Sequence, residues 1–292
     1  MLFSVVIPTC DRPASLAACL ARLAPGRQTL AAEHYEVIVS DDGAAAPAEA
    51  LVRETFPWAR WTPGPRRGPA ANRNAGAAAA RGAWLVFTDD DCLPDPGWLA
   101  AYARAAEAVP PPALLEGRTY VDRPRTHPLD TSPVNETGGY LWSCNFAIGR
   151  GLFAELRGFD ERFPFSALED RELHLRLRRR GIEPVFCPAA GVLHPWRLVA
   201  DLRRHRARHV QSQLLLESIH PGQGFPYAWT RILRTHLRTA VCEHLPWFFR
   251  RPWVALRSIP PLWATMAADV ARTARWRSRA RRAAAARKRG GA

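Results

Sequence analysis

Lysine is almost missing from this chain: of its 41 basic residues, only Lys288 is not arginine. Such a skew is what GC-rich coding produces, so arginine by itself says nothing about partners. No Cys-x-x-Cys pair occurs, and the six cysteines (Cys10, Cys19, Cys92, Cys144, Cys187, Cys242) are scattered. That spacing argues against a zinc site or a secreted disulfide framework and favours a reducing cytoplasm. The opening Met-Leu-Phe-Ser-Val-Val-Ile-Pro lacks the basic leader and long apolar core of a signal peptide. No internal repeat is visible. Within 245–271 the longest charge-free stretch, Ser258–Ala268, has eleven residues, whereas a spanning helix needs about 20 apolar ones. Acid is absent from residues 272–292, which carry nine basic side chains.

What is present is enough for a full core. Hydrophobic residues make up 47% of the 292 and charged ones 23%, which excludes a disordered chain. Charge is split along the length. Residues 1–200 hold 22 basic and 23 acidic side chains, a net of −1, and residues 201–292 hold 19 and 4, a net of +15. The basic third suits an anionic partner: nucleic acid, anionic lipid or an acidic substrate.

The first half alternates strand and helix. Leu2–Ile7, Tyr35–Ser40 and Trp84–Phe87 read as buried strands, with helices over Pro13–Leu23, Pro47–Glu54, Pro69–Ala80 and Asp95–Ala108. Pro69 suits a first helical turn. Alternation of this kind predicts an α/β fold, a mostly parallel Rossmann-like sheet flanked by helices. Beyond the Pro110–Pro112 run, Leu114–Val121, Leu141–Ile148 and Pro184–Cys187 suggest strands, and Leu168–Arg180 an amphipathic helix with a basic end. Helical stretches rich in Arg, Leu and Trp follow at 199–218 and 226–244, and Arg287–Ala292 reads as a disordered basic tail. The expected division is 1–198, with a nucleotide-binding half (1–110) and an acceptor-side half (111–198), followed by a C-terminal α-helical basic extension, 199–292.

The strongest chemical signal is Ala-Trp-Leu-Val-Phe-Thr-Asp-Asp-Asp at 83–91. A buried strand ending in Asp89, Asp90 and Asp91 places like charges together and needs a counter-charge. A hard divalent cation with oxygen ligands is the usual answer, and the carboxyl end of an open α/β sheet is where ligands bind. Ile7-Pro8-Thr9-Cys10-Asp11-Arg12 and Ser40-Asp41-Asp42-Gly43 end strands at the same level, though such a segment taken alone is more often a capped turn than a site. Asn72, Arg73 and Asn74 open a helix whose free N–H groups favour phosphate, or whose small residues simply pack it tightly on the sheet. Glu169 and Asp170 start the 168–180 helix, as helix capping or as a general base. His194 follows the last strand.

In this order these residues resemble the family 2 glycosyltransferases with the GT-A-type nucleotide-sugar-binding fold. The match rests on Val5-Val6-Ile7-Pro8-Thr9, on Val37 to Gly43, on Arg73-Asn74-Ala75-Gly76 leading to Phe87-Thr88-Asp89-Asp90-Asp91, and on Arg157 to Phe163 leading to Glu169-Asp170-Arg171-Glu172-Leu173. It covers about 1–198. The resemblance implies a nucleotide-sugar site at Pro8, Thr9, Asp11, Asp42, Arg73, Asp89 and Asp90, with Arg73 near the base or diphosphate. It implies a Mn²⁺ or Mg²⁺ ion held by Asp91, Asp89 and His194. Asp170 would be the catalytic base with Glu169 beside it, and Trp142 and Asn145 would line the acceptor side. The implied reaction is inverting transfer of a sugar from a UDP-, GDP- or dTDP-linked donor to a hydroxyl, in cell-envelope polysaccharide or glycolipid synthesis. Relatives often carry Tyr-Asn after Pro-Thr; Cys10-Asp11 stands here, which leaves the base open.

Two other classes compete: a sugar-phosphate nucleotidyltransferase, and a basic nucleic-acid-binding protein acting through the tail. Leu262, Trp263, Met266 and Val270 form an apolar stripe near Arg272, Arg275 and Arg279. That pattern suggests either peripheral contact of 245–289 with an anionic membrane, at the inner face of the cell membrane, or packing on the catalytic domain.

Overall fold

The computed structural model describes residues 1–45, 47–109, 113–199, 201–223 and 238–289. They form two compact units: Met1–Pro124 with Ser132–Trp196, and Arg125–Thr131 with the residues from Arg197 onward.

The first unit holds the strands β1 (Phe3–Thr9), β2 (Tyr35–Asp41), β3 (Arg60–Pro63), β4 (Trp84–Thr88), β5 (Leu93–Pro94), β6 (Leu114–Tyr120), β8 (Asn145–Gly149) and β9 (Val185–Leu193). They make one sheet in the order β3-β2-β1-β4-β8-β6-β9-β5. β3, β2, β1 and β4 run parallel, and β8 enters antiparallel between β4 and β6. The helices are α1 (Pro13–Leu23), α2 (Glu49–Thr55), α3 (Pro69–Ala78), α4 (Trp98–Ala108), α5 (Arg150–Glu155) and α6 (Glu169–Arg179). Two apolar layers cover the sheet. One gathers Val5, Ile7, Leu16, Leu20, Val37, Val86 and Trp98. The other gathers Val6, Ile38, Phe87, Phe146, Phe159 and Leu173. Alternate residues of β1 thus point to opposite faces, as the strand's period of two dictates. Burial on both faces is why its sequence is a continuous apolar run.

Glycine sets the close approach of α3 to this sheet. A Cβ on Gly76 would lie 2.6 Å from Val6 Cγ1, so the helix could not pack as it does with any larger residue there. Asn72 then stitches the helix to the strand ends, its Nδ2 donating to the carbonyls of Thr9 (3.1 Å) and Ser40 (3.0 Å).

In the second unit, β7 (Asp130–Thr131) pairs antiparallel with β10 (Arg197–Leu198). α7 (Leu202–Ile219) is capped by Asp201, whose side chain accepts from Arg204 N. A π-helical turn at Thr239–His244 leads into α8 (Leu245–Arg250) and α9 (Pro252–Arg289), and α9 packs on α7 and α8.

Several expectations are corrected. The short edge strand β3 has no alternating pattern and was not anticipated. β9 is nine residues long rather than the expected 184–187; Pro188 and the small residues after it hide the second half, and a register shift between Gly117 and Arg118 absorbs Pro188–Ala190. Leu141 has φ 50° and lies outside any strand, so β8 begins only at Asn145. Arg287–Arg289 continue α9 rather than forming a disordered tail, and residues 290–292 of that expected tail lie outside the described residues. Of the expected helix 226–244, residues 226–237 lie outside the described residues.

Candidate active site

Because β1, β2 and β4 are parallel neighbours, their carboxyl ends deliver residues 9–12, 41–43 and 89–92 to one edge. Each loop is braced. Asp41 accepts from Gly43 N (2.8 Å), Ala48 N (2.7 Å) and Trp61 Nε1 (3.2 Å). Asp42 accepts from Arg66 N (2.8 Å) and Gly68 N (3.2 Å), which ties the 64–68 loop to the strand end. Asp11, at φ 53°, accepts from Ala44 N and Ala45 N. Pro8 is buried in β1 opposite Ser40.

The acidic strand end is shared among several partners. Asp90 is fully buried, accepts from Thr9 Oγ1 at 2.7 Å and lies 2.6 Å from the Arg12 guanidinium. Asp89 accepts from Arg73 Nη2 at 2.7 Å. Arg73 also donates from Nη1 to Glu169 Oε1 at 3.0 Å, and its guanidinium lies 5.7 Å from the centre of the Phe159 ring. This arginine is 1% exposed. Burial opposes its charge, but Asp89 and Glu169 outweigh burial and raise its pKa. One buried cation therefore joins the end of β4 to the start of α6, 96 residues apart in sequence between Arg73 and Glu169. Arg73, expected near the base or diphosphate, hydrogen-bonds to Asp89 and Glu169, because carboxylates buried this closely demand a local counter-charge.

Leu168, at φ 70°, turns the chain sharply into α6. Glu169 and Asp170 form its acidic first turn, where the helix dipole favours them. Asp170 accepts from Arg171 N at 2.7 Å and from Ser143 N at 3.4 Å, and Ser143 Oγ donates to Glu169 at 3.5 Å. Burial, with Asp170 next in effect, pushes Glu169 up to about 7. Burial also raises Asp170, against the N–H groups that favour its charged form.

His194 is buried, and its Nδ1 lies 3.0 Å from the Pro195 carbonyl. A carbonyl only accepts, so that contact favours the proton on Nδ1 and leaves the Nε2 lone pair toward Asp91. Nε2 sits 3.6 Å from Asp91 Oδ1. Burial, only partly opposed by Asp89, lowers this histidine's pKa and disfavours the charged ring. Two acceptors facing each other at that distance fit a shared cation. Cys92 Sγ lies within the same 4.8 Å cluster, but burial raises its thiol pKa well above the usual value, so it is a poor partner for a hard ion. Among the described residues, Asp89, Asp90, Asp91, Glu169 and Asp170 gather around the guanidiniums of Arg12 and Arg73, a concentration of acids that suits a divalent cation.

Asn145 was expected on the acceptor side, and its geometry corrects that. Its Oδ1 accepts from Trp98 Nε1 and Tyr102 OH, and its Nδ2 donates to the Arg118 and Ala190 carbonyls. All its amide valences are used between the sheet and α4, leaving none for a ligand. Trp142 is half-buried and stacks on Tyr140 at 5.5 Å. Sequence reading missed Glu116. This fully buried carboxylate collects the N–H groups of Gly139, Tyr140 and Leu141 and the Asn135 amide. A lone acid in an apolar strand is its only sequence signal. A surface groove of about 580 Å³ runs along the outer face of α3, lined by Ala71, Ala75, Ala78, Arg150 and Phe153, and holds none of these acids.

A curled α/β sheet with carboxylates at the ends of β4 and the start of α6 defines the GT-A class of glycosyltransferase fold. Solved structures agree on that fold. S. aureus TarS 1-349 in complex with UDP aligns with TM-score 0.56 and 16% identity, covering 94% of this chain and 81% of that one. The mannosyltransferase PcManGT from Pyrobaculum calidifontis, in complex with GDP-Man and Mn²⁺, aligns with TM-score 0.55 and 21% identity, over 93% and 74%. Residues 4–140 match the model of Glycosyl transferase family 2, and that segment is a domain of the family. Validoxylamine A glucosyltransferase of Streptomyces hygroscopicus subsp. jinggangensis (strain 5008) is 30% identical over 256 residues, 73% of this chain. The chain spans 59% of that relative's length.

Proposed function

We propose that the protein transfers a sugar, with inversion, from a nucleotide-diphosphate sugar to an acceptor hydroxyl. The observation that carries this is the Asp89–Arg73–Glu169 bridge, which brings the aspartate-tipped strand and the Glu-Asp helix start into one site. TarS binds UDP and PcManGT binds GDP-Man; a UDP-, GDP- or dTDP-linked donor is the corresponding proposal here, resting at the ends of β1, β2 and β4 beside Thr9, Asp11 and Asp42. Asp170 is the base. It is 8% exposed against 1% for Glu169, and Glu169 is already occupied by Arg73. Asp170 takes the hydroxyl proton as the acceptor oxygen bonds to the anomeric carbon. The bond to the diphosphate breaks on the opposite face, and its electron pair leaves with the nucleotide. A single displacement inverts the centre. A Mn²⁺ or Mg²⁺ ion, held by Asp91 and His194 with Asp89 adjacent, would supply neutralisation of the leaving diphosphate. The acceptor class proposed is a cell-envelope polysaccharide or glycolipid precursor.

The test is release of diphosphonucleoside from a panel of UDP-, GDP- and dTDP-sugars with Mn²⁺ or Mg²⁺ and a mixed acceptor fraction. Release from one donor, lost in EDTA and in Asp170→Asn, is expected. A nucleotidyltransferase would keep its activity in Asp170→Asn, and release from no donor would sink the transferase reading.

A further inference from the structure

Among its described residues the second unit carries an exposed apolar face, and it differs from the stripe expected from sequence, of which Leu262 and Met266 are buried. Leu262 and Met266 are each 6% exposed, and with Ala255 and Ile259 they form the buried face of α9. Their spacing of 3, 4 and 7 is that of one helical face. A second face lies about 100° further round. It carries Trp253 (78% exposed) and Leu256 (55%), and Phe249 at the end of α8 is 84% exposed; Trp263 beside it is partly covered, its Nε1 donating to His244 Nδ1 and its ring 6.2 Å from that of Phe248. Large apolar side chains grouped at this exposure mark an interaction surface rather than ordinary surface scatter.

Its surroundings say what kind of partner fits. Arg250, Arg251 and Arg257 are exposed around this patch, and Arg275 is exposed on the same side of α9 as Arg257. Acids are sparse: Glu243 and Asp269 are the only ones in 238–289. A protein partner of ordinary composition would gain little from so one-signed a rim, whereas an anionic lipid surface offers both halves of the complement. Headgroups attract the arginines, and the acyl boundary accepts Trp, Phe and Leu. The backbone agrees with shallow insertion. Pro260 and Pro261 have no N–H, so the carbonyls of Leu256 and Arg257 lose their helical donors. Unpaired carbonyls are tolerable in the wet interface and costly in the hydrocarbon core. No described helix is long and apolar enough to cross a membrane.

We propose that α8 and the first half of α9 form a peripheral docking face for an anionic bilayer. Phe249, Trp253 and Leu256 insert at the headgroup boundary, and Arg250, Arg251 and Arg257 pair with lipid phosphates. The face lies outside the residues assigned to catalysis, so it stands or falls apart from the transferase reading.

The experiment is flotation of the full chain with vesicles of phosphatidylcholine alone or with 30% phosphatidylglycerol, at about 0.1 M salt. Binding to the phosphatidylglycerol vesicles is expected, with at least about tenfold weaker binding for Phe249→Ala/Trp253→Ala/Leu256→Ala. These side chains are exposed, and unchanged circular dichroism confirms that the variant folds. Brominated lipid should quench tryptophan fluorescence in the parent and less in Trp253→Phe. Binding that is equal in the triple variant and fully reversed by salt would show electrostatic adhesion by the basic stretch, and would overturn the proposal. Absence of vesicle binding would overturn it too, whether the protein instead binds an oligonucleotide duplex or buries the patch in a dimer seen by sedimentation.

Discussion

Arg73 is the residue on which the site's electrostatics turn. Replacing it with methionine leaves Asp89 and Glu169 packed around an apolar side chain. The expected cost is on the order of 3–5 kcal/mol, read by urea denaturation. Arg73→Lys should recover only part of this, because an ammonium cannot span both acids as the guanidinium fork does. Asp170→Asn is expected to keep the fold and lower kcat by about 10²–10⁴-fold, the usual contribution of a positioned base, measured by diphosphonucleoside release. Glu169 supplies a stability signature. Its folded pKa, about 7, lies above its ordinary value of 4.5. Below that ordinary value both states carry the proton. Between the two values the folded state holds a proton that the unfolded state has released, so stability falls as pH rises through about 4.5 to 7. The slope is at most about 1.4 kcal/mol per pH unit for one proton. Denaturation midpoints of the metal-free protein across this range should show the fall, and Glu169→Gln should flatten it.

Among the elements, those with plain periodicity were legible. Pro13–Leu23 is a helix over its expected bounds, and the buried parallel strands of the first half stand where apolar runs placed them. The strand after Pro184 was only half legible, since Pro188-Ala189-Ala190-Gly191 has no β signature and is held by its neighbours. Candidate site residues were legible as types, but the partner of each was not. Nothing local in Arg73 says that it turns inward to Glu169, and nothing in Asn145 says that its amide is consumed by Trp98 and Tyr102. Glu116 shows the same limit, since its role exists only once the 139–141 backbone folds over it. Glu116→Gln retains the shape but loses acceptor capacity for the N–H groups it collects, at about 1–3 kcal/mol. Amide hydrogen exchange at Gly139, Tyr140 and Leu141 should accelerate in that variant; unchanged protection would deny Glu116 its anchoring role.

For the molecule as a whole, the concentration of carboxylates at one sheet edge predicts that the folded state gains from ligands. With Mn²⁺ and the correct nucleoside diphosphate at about 100-fold over Kd, stability should rise by about 2.7 kcal/mol. A thermal scan reads this as a higher midpoint that EDTA reverses and that Asp91→Asn lacks. A midpoint insensitive to the metal and nucleotide together would contradict the cation assignment.

The two compact units are not consecutive in the chain. Arg125–Thr131 belongs to the second unit but lies within the first unit's sequence, and its β7 pairs with Arg197–Leu198. During synthesis on the ribosome, that seven-residue piece emerges long before its partner strand exists. It must wait, unpaired, while the catalytic sheet closes around the sequence on either side. Stopping translation after Trp196 would therefore not yield a clean enzyme without its appendage: it would leave one edge of a two-stranded ribbon without a mate.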